Sequence, residues 1–85
     1  MPVISRFLGI IISMYWEDHA PPHFHAKYGE FEIIVYINSG IVEGKFPKRA
    51  LQHVLEWYEL HKPALLNDWL LCLKNQMPEP IEPLE

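Results

Sequence analysis

Apolar and polar residues alternate through the first half of this chain, and from about residue 47 the apolar positions recur every three or four residues instead. The first period belongs to half-buried strands, the second to amphipathic helices. After a short lead, residues 7–16 are rich in β-branched and aromatic types and predict a first strand. Ile10, Ile12, Met14 and Trp16 would share one face of it, and Ile11, Ser13 and Tyr15 the other, partly wet one. Residues 17–22 read as a loop, because Pro21 and Pro22 lack amide donors and Pro21 biases Ala20 to extended geometry. Residues 23–28 predict a second strand, with His23, His25 and Lys27 alternating with Phe24, Ala26 and Tyr28. A tight turn at Gly29-Glu30 leads into residues 31–37, where Phe31, Ile33, Val35 and Ile37 oppose Glu32, Ile34 and Tyr36. Asn38-Ser39-Gly40 is a hairpin turn, and residues 41–46 return as a fourth strand.

Pro47 suits the start of a helix, and Ala50, Leu51, Val54, Leu55 and Tyr58 then make one apolar stripe. His61 and Lys62 close that helix with charge that suits its dipole. Pro63 begins a second helix, whose wide apolar arc of Leu65, Leu66, Trp69, Leu70, Cys72 and Leu73 predicts burial on more than one side. The expected fold class is therefore α+β: a small antiparallel β-meander of about four strands followed by two α-helices packed on one face. Residues 1–77 form the single expected domain. Residues 78–85, rich in proline and glutamate, form an extended acidic tail that Ile81 and Leu84 can pin to the surface.

Composition narrows the class. An 85-residue chain is one domain, and its three Trp, four Tyr and four Phe are enough for a core. A net charge of −4 argues against coating nucleic acid through bulk charge. The lone Cys72 has no internal disulfide partner and reads as a buried small hydrophobe, which points to a reducing compartment. The run Ile10-Ile11-Ile12 is too short for a membrane span, so the expected setting is soluble and cytoplasmic, with no membrane partner.

Three of the five histidines fall in one short stretch, with Glu17 and Asp18 upstream and Lys27 and Glu30 downstream. His23 and His25, two apart on a strand, project from one face about 6–7 Å apart at the backbone. Their imidazoles can converge on one divalent transition metal, zinc or similar. His19 can supply a third nitrogen, and Asp18, Glu17 or Glu30 an oxygen or a hydrogen bond that orients a ring. The candidate metal residues are therefore His19, His23 and His25, with Asp18 as ligand or orienting group. The same His-x-His pair can instead cover the wet face of a sheet or lock the loop through a carboxylate. A metal-free acid–base pair beside Asp18, with Lys27 holding a phosphate, is a third use of these groups. Lys48 and Arg49, near Lys45, gather at the start of the first helix, where basic side chains and free amides can meet an anion. Lys48, Arg49 and Lys27 are the candidate anion or nucleic-acid contacts. Trp57, Tyr58 and Trp69 sit at core spacing, Tyr15 and Trp16 border the histidine loop, and His53 and His61 read as surface residues.

Ile4-Ser5-Arg6-Phe7, the run Asp18-His19-Ala20-Pro21-Pro22-His23-Phe24-His25, Tyr28-Gly29-Glu30 and Pro47-Lys48-Arg49-Ala50-Leu51 together resemble the bacterial domain of unknown function family 4160. The resemblance runs from about residue 2 to about residue 69. It implies a small prokaryotic protein without assigned catalytic residues, in settings resembling toxin–antitoxin pairs. The expected function is thus a binding or regulatory component of such a pair, with a small protein partner or a homo-oligomer formed through the apolar helical surface, and nucleic acid as a further partner. The alternative is a small metal-dependent or histidine-based hydrolase, for instance a nuclease.

Overall fold

Leu8 and Gly9 both carry positive φ, 51° and 80°, which is the conformation of a two-residue hairpin turn. They divide the first apolar stretch into two strands, β1 (Val3–Phe7) and β2 (Ile10–Ser13), paired antiparallel with Phe7 opposite Ile10. The computed structural model that shows this describes residues 2–16 and 18–84, so Met1, Glu17 and Glu85 lie outside the described residues. The remaining strands are β3 (His23–Tyr28), β4 (Phe31–Tyr36) and β5 (Val42–Lys45), and the sheet order is β1-β2-β3-β4-β5, every neighbouring pair antiparallel. The expectation of four strands is corrected to five. A continuous apolar run hid the turn, because Leu8 is a residue type that rarely takes left-handed geometry.

The helical half is one element, α1 (Lys48–Leu73), where two helices were expected. The proline acts at the expected place but only bends the chain: His61 leaves helical geometry (φ −124°, ψ 18°), and the helix resumes through Pro63 without a connecting loop. Proline removes one backbone donor and crowds the preceding turn, which accounts for a kink there.

The meander buries one face. Ile12, Ala26 and Ile33 stand side by side across β2, β3 and β4, and Phe24 pairs with Val35. Against them α1 lays Ala50, Val54, Trp57, Tyr58, Leu65, Trp69 and Cys72, all buried. The Phe24 ring meets Trp57 edge-on at 5.7 Å, and the Tyr58 hydroxyl donates to the Ile37 carbonyl. Residues 74–76 end the helix with crossed bonds, Gln76 N–H to Leu71 O and Asn75 N–H to Cys72 O, with Asn75 at φ 57°. The chain then runs back along the core without further helix or strand. Ile81 is buried there, and its N–H donates to Ile4 O at 2.8 Å. No helix among the described residues is long and apolar enough to cross a membrane.

Candidate functional site

The alternation that buries Phe24 and Ala26 turns His23 and His25 to the opposite face of β3. Across the sheet His23 pairs with Tyr36, and His25 lies between Ser13 and Ile34. Residues 18–22 fold back over this face through a cis Ala20-Pro21 peptide, and the loop is tied down by Ile37 N–H donating to Pro22 O at 3.0 Å. Asp18 is thereby brought over both rings. Its Oδ2 is 2.8 Å from His23 Nε2 and 3.5 Å from His25 Nε2, while Oδ1 accepts the His19 backbone N–H at 2.8 Å. Partial burial alone would raise the Asp18 carboxyl, but the His19 N–H, the hydrogen bond to His25, and the charge and hydrogen bond of His23 hold it below its usual value.

The protons on His23 can be placed by elimination. Its Nδ1 is 2.8 Å from Pro21 O, and a carbonyl only accepts, so Nδ1 carries a hydrogen. In a neutral ring Nε2 is then a bare lone pair, facing a carboxylate oxygen at 2.8 Å. Two acceptors at that distance require a positive species between them, either a shared proton or a metal ion. Aromatic contacts hold the rings: Trp69 lies 5.1 Å and Tyr36 5.7 Å from His23, and Tyr15 meets His25 edge-on at 4.3 Å.

Asp18, His23 and His25 each offer one ligand atom, and the three atoms lie within 4.8 Å of one another. Two ligands about 2.1 Å from one ion, at tetrahedral or octahedral angles, would be about 3.0–3.4 Å apart. The Asp18–His23 and Asp18–His25 separations of 2.8 and 3.5 Å bracket that range. Two imidazoles and one carboxylate are a donor set that zinc and iron(II) accept.

The other expected site residues are placed differently. His19 is exposed and lies outside this group, as does Glu30 in the β3–β4 turn. Glu17 falls outside the described residues. Lys27 is exposed and lines a cleft of about 380 Å³ with Ile11, Ser13, Tyr15, His25 and Glu32. Lys48 and Arg49 are exposed on the first turn of α1, and Arg49 borders a separate small hollow with Leu8, Tyr28 and His53. Lys27 is thus in the histidine cleft, and the helix-start pair is not. His53 and His61 are half-buried rather than free on the surface, and the His61 ring lies 5.5 Å from Trp57.

Two acidic residues were not anticipated. Glu32 Oε2 stands 3.5 Å from His25 Nδ1, although its place opposite Lys27 follows from pairing the strands across Gly29-Glu30. Asp68 is buried on the inner side of α1, between Leu65 and Cys72, at a spacing that fits the apolar stripe.

The pattern of the family described as "Domain of unknown function (DUF4160)" matches residues 9–70 of this chain. The chain belongs to that family. The match takes in the whole Asp18–His25 loop and most of α1, so the Asp18, His23 and His25 cluster lies within the DUF4160 region. No curated protein and no solved structure matched the chain.

Proposed function

We propose that this DUF4160 protein is a small binding module built around a divalent transition-metal site, with Asp18, His23 and His25 as ligands. The observation that carries this reading is the facing pair of acceptors, His23 Nε2 and Asp18 Oδ2, 2.8 Å apart, with the other ring nitrogen already engaged by Pro21 O. A metal-ligating histidine commonly has its second nitrogen held by a carbonyl in this way. Three protein ligands leave a coordination position for an outside group, and the cleft beside His25 gives that group a route in. Lys27, two residues along the same strand face, supplies a cation for an anionic ligand there.

The open position also supports a second reading, a metal-dependent hydrolase such as a nuclease, in which Lys27 would hold the phosphate. The partner of a toxin–antitoxin-like pair belongs to the first reading. It would dock on the exposed apolar residues Leu70 and Leu73 at the end of α1 and Met77 beyond it.

The test is metal content and metal titration of the untagged protein with zinc, cobalt(II), nickel, manganese and iron(II). One equivalent bound by the wild type and by His19→Ala, and lost in His23→Ala/His25→Ala, is expected. Saturation at one hundred times Kd should also raise unfolding stability by about 2.7 kcal/mol. A wild type that binds none of these ions would overturn the reading and leave Asp18 and His23 as a hydrogen-bonded pair that locks the loop. Cleavage of a phosphodiester by the loaded wild type, absent from the double variant, would select the hydrolase.

A further inference from the structure

Both histidines turn Nε2 toward Asp18, yet their other nitrogens are treated differently. His23 Nδ1 is hydrogen-bonded to Pro21 O. His25 Nδ1 is buried and has no hydrogen-bond partner among the described residues. A buried ring nitrogen left this way is unfavourable, and it also leaves the tautomer of His25 undetermined. If the hydrogen sat on Nε2, His25 could not be a ligand.

One acceptor is within reach. Glu32 Oε2 lies 3.5 Å from His25 Nδ1, at ion-pair distance but outside hydrogen-bond geometry. Glu32 occupies β4 opposite Lys27, so it is the diagonal neighbour of His25 on the same sheet face, where long side chains touch. Its carboxylate is about half exposed and has room to move. The next carboxylate on this face, Glu43, is opposite Ile34 and already accepts the Tyr36 hydroxyl at 3.0 Å. On the other side Tyr15 presses edge-on against the His25 ring, so a small shift of Glu32 closes the gap without turning the imidazole.

We infer that Glu32 is a positioning residue for the metal site: it accepts the Nδ1–H of His25 and so presents the Nε2 lone pair to the ion beside Asp18. This inference rests on the reading of Asp18, His23 and His25 as ligands. The two histidines then differ in kind. His23 is held by a backbone carbonyl, His25 by a half-exposed carboxylate that also increases the basicity of the ligating nitrogen.

The experiment measures zinc and cobalt(II) affinity of wild type, Glu32→Ala and Glu32→Gln, together with long-range 1H–15N correlation spectra of the zinc-loaded proteins. Glu32→Ala should bind about 10–100-fold more weakly, the usual effect of removing such a partner. Glu32→Gln keeps a neutral acceptor and should recover part of that loss, and it serves alone if the alanine variant fails to fold. In the wild type the His25 Nδ1–H should be visible and protected from exchange. It should be lost or shifted in both variants while the His23 Nδ1–H stays unchanged. Wild-type affinity in both variants, with an unaltered His25 signal, would overturn the role of Glu32 and leave the metal site standing. Weakened affinity with an unaltered His25 signal would also overturn it, because Glu32 would then act as a ligand. A wild type that binds no metal removes both this inference and the function it rests on.

Discussion

Asp68 is a carboxylic acid in the core. It is buried on α1, its Oδ1 accepts the Glu79 N–H at 2.9 Å, and Oδ2 has no hydrogen-bond partner among the described residues. Burial pushes its pKa from 3.8 up to about 6; the Glu79 N–H opposes that rise and the Glu79 charge adds to it. One turn later burial, then the Asp68 charge, raises the Cys72 thiol as well, so Cys72 is an inert small apolar group. The folded chain therefore holds the Asp68 proton more tightly than the unfolded chain does. Below pH 3.8 both states are protonated and the contribution is fully present. As pH rises the unfolded chain releases its proton first, and stability falls until both states are ionised above about pH 6. A shift of this size corresponds to about 3 kcal/mol. Asp18 has the opposite sign: its lowered pKa contributes stability above the unfolded value that is lost as pH falls through the folded one. In urea titrations between pH 4 and 7, the stability of Asp68→Asn relative to wild type should rise by about 2 kcal/mol, most of it between pH 4 and 6. Parallel curves would mean that Asp68 is ionised and solvated in the folded protein.

Local backbone demands explain where the strands begin and end. Leu8 occupies the first position of a turn that needs positive φ at both central residues, and left-handed geometry costs a non-glycine residue about 1–2 kcal/mol. Asn-Gly is the preferred pair for this turn. Leu8→Asn should stabilise the protein by about 1 kcal/mol and raise Tm by about 4–8 °C. An unchanged or lower Tm would show that Leu8, half exposed beside Tyr28, contributes packing that offsets its backbone. Gly44 meets the opposite constraint. It sits at φ +110° in β5, and an added Cβ would come within 2.6 Å of the Glu32 backbone oxygen. Gly44→Ala should therefore lower Tm markedly. These positions also show what the sequence made legible. Alternation through residues 23–36 placed β3, β4 and the face carrying His23 and His25, because the apolar residues of these strands gather on the other face. The Leu8-Gly9 turn was missed because its only signal was one glycine in an apolar run. The break in helical geometry at His61 falls at the expected boundary between two helices, but whether Pro63 starts a new helix or bends an old one depends on packing that no local signal contains. At the site, spacing groups His19, His23 and His25 with an oxygen from Asp18, Glu17 or Glu30, and the structure brings Asp18, His23 and His25 together. The exclusion of His19 depends on the path of the loop, and the approach of Glu32 on cross-strand register.

Over the whole molecule the two sheet edges are protected in different ways. The β5 edge is short and carries Glu43, Lys45 and the irregular Gly44, features that discourage pairing with another chain. The β1 edge is covered by the last residues described, through Ile81 N–H to Ile4 O. The same segment is held at three further points, and two tryptophan indoles serve as clamps. Trp16 Nε1–H donates to Gln76 O at 3.1 Å and Trp57 Nε1–H to Glu82 O at 2.8 Å, while Asp68 takes the Glu79 N–H. A chain ending at Met77 would lose the last two of these contacts, the Ile81–Ile4 bond and the burial of Ile81. Burying an isoleucine side chain is worth about 1.5–3 kcal/mol. Three hydrogen bonds at about 0.5–1.5 kcal/mol each bring the loss to roughly 3–7 kcal/mol. A domain of this size has a total stability of about 4–13 kcal/mol, so the loss is comparable with the whole. The shortened chain should therefore melt more than 15 °C lower, or lose its cooperative transition, when followed by near-ultraviolet circular dichroism of the tryptophans. Ile81→Ala keeps the hydrogen bonds and removes only the buried side chain, so it should fall between that variant and the wild type. Equal melting of all three proteins would mean that the segment rests on the core without stabilising it, and that the β1 edge is free to pair with a partner strand.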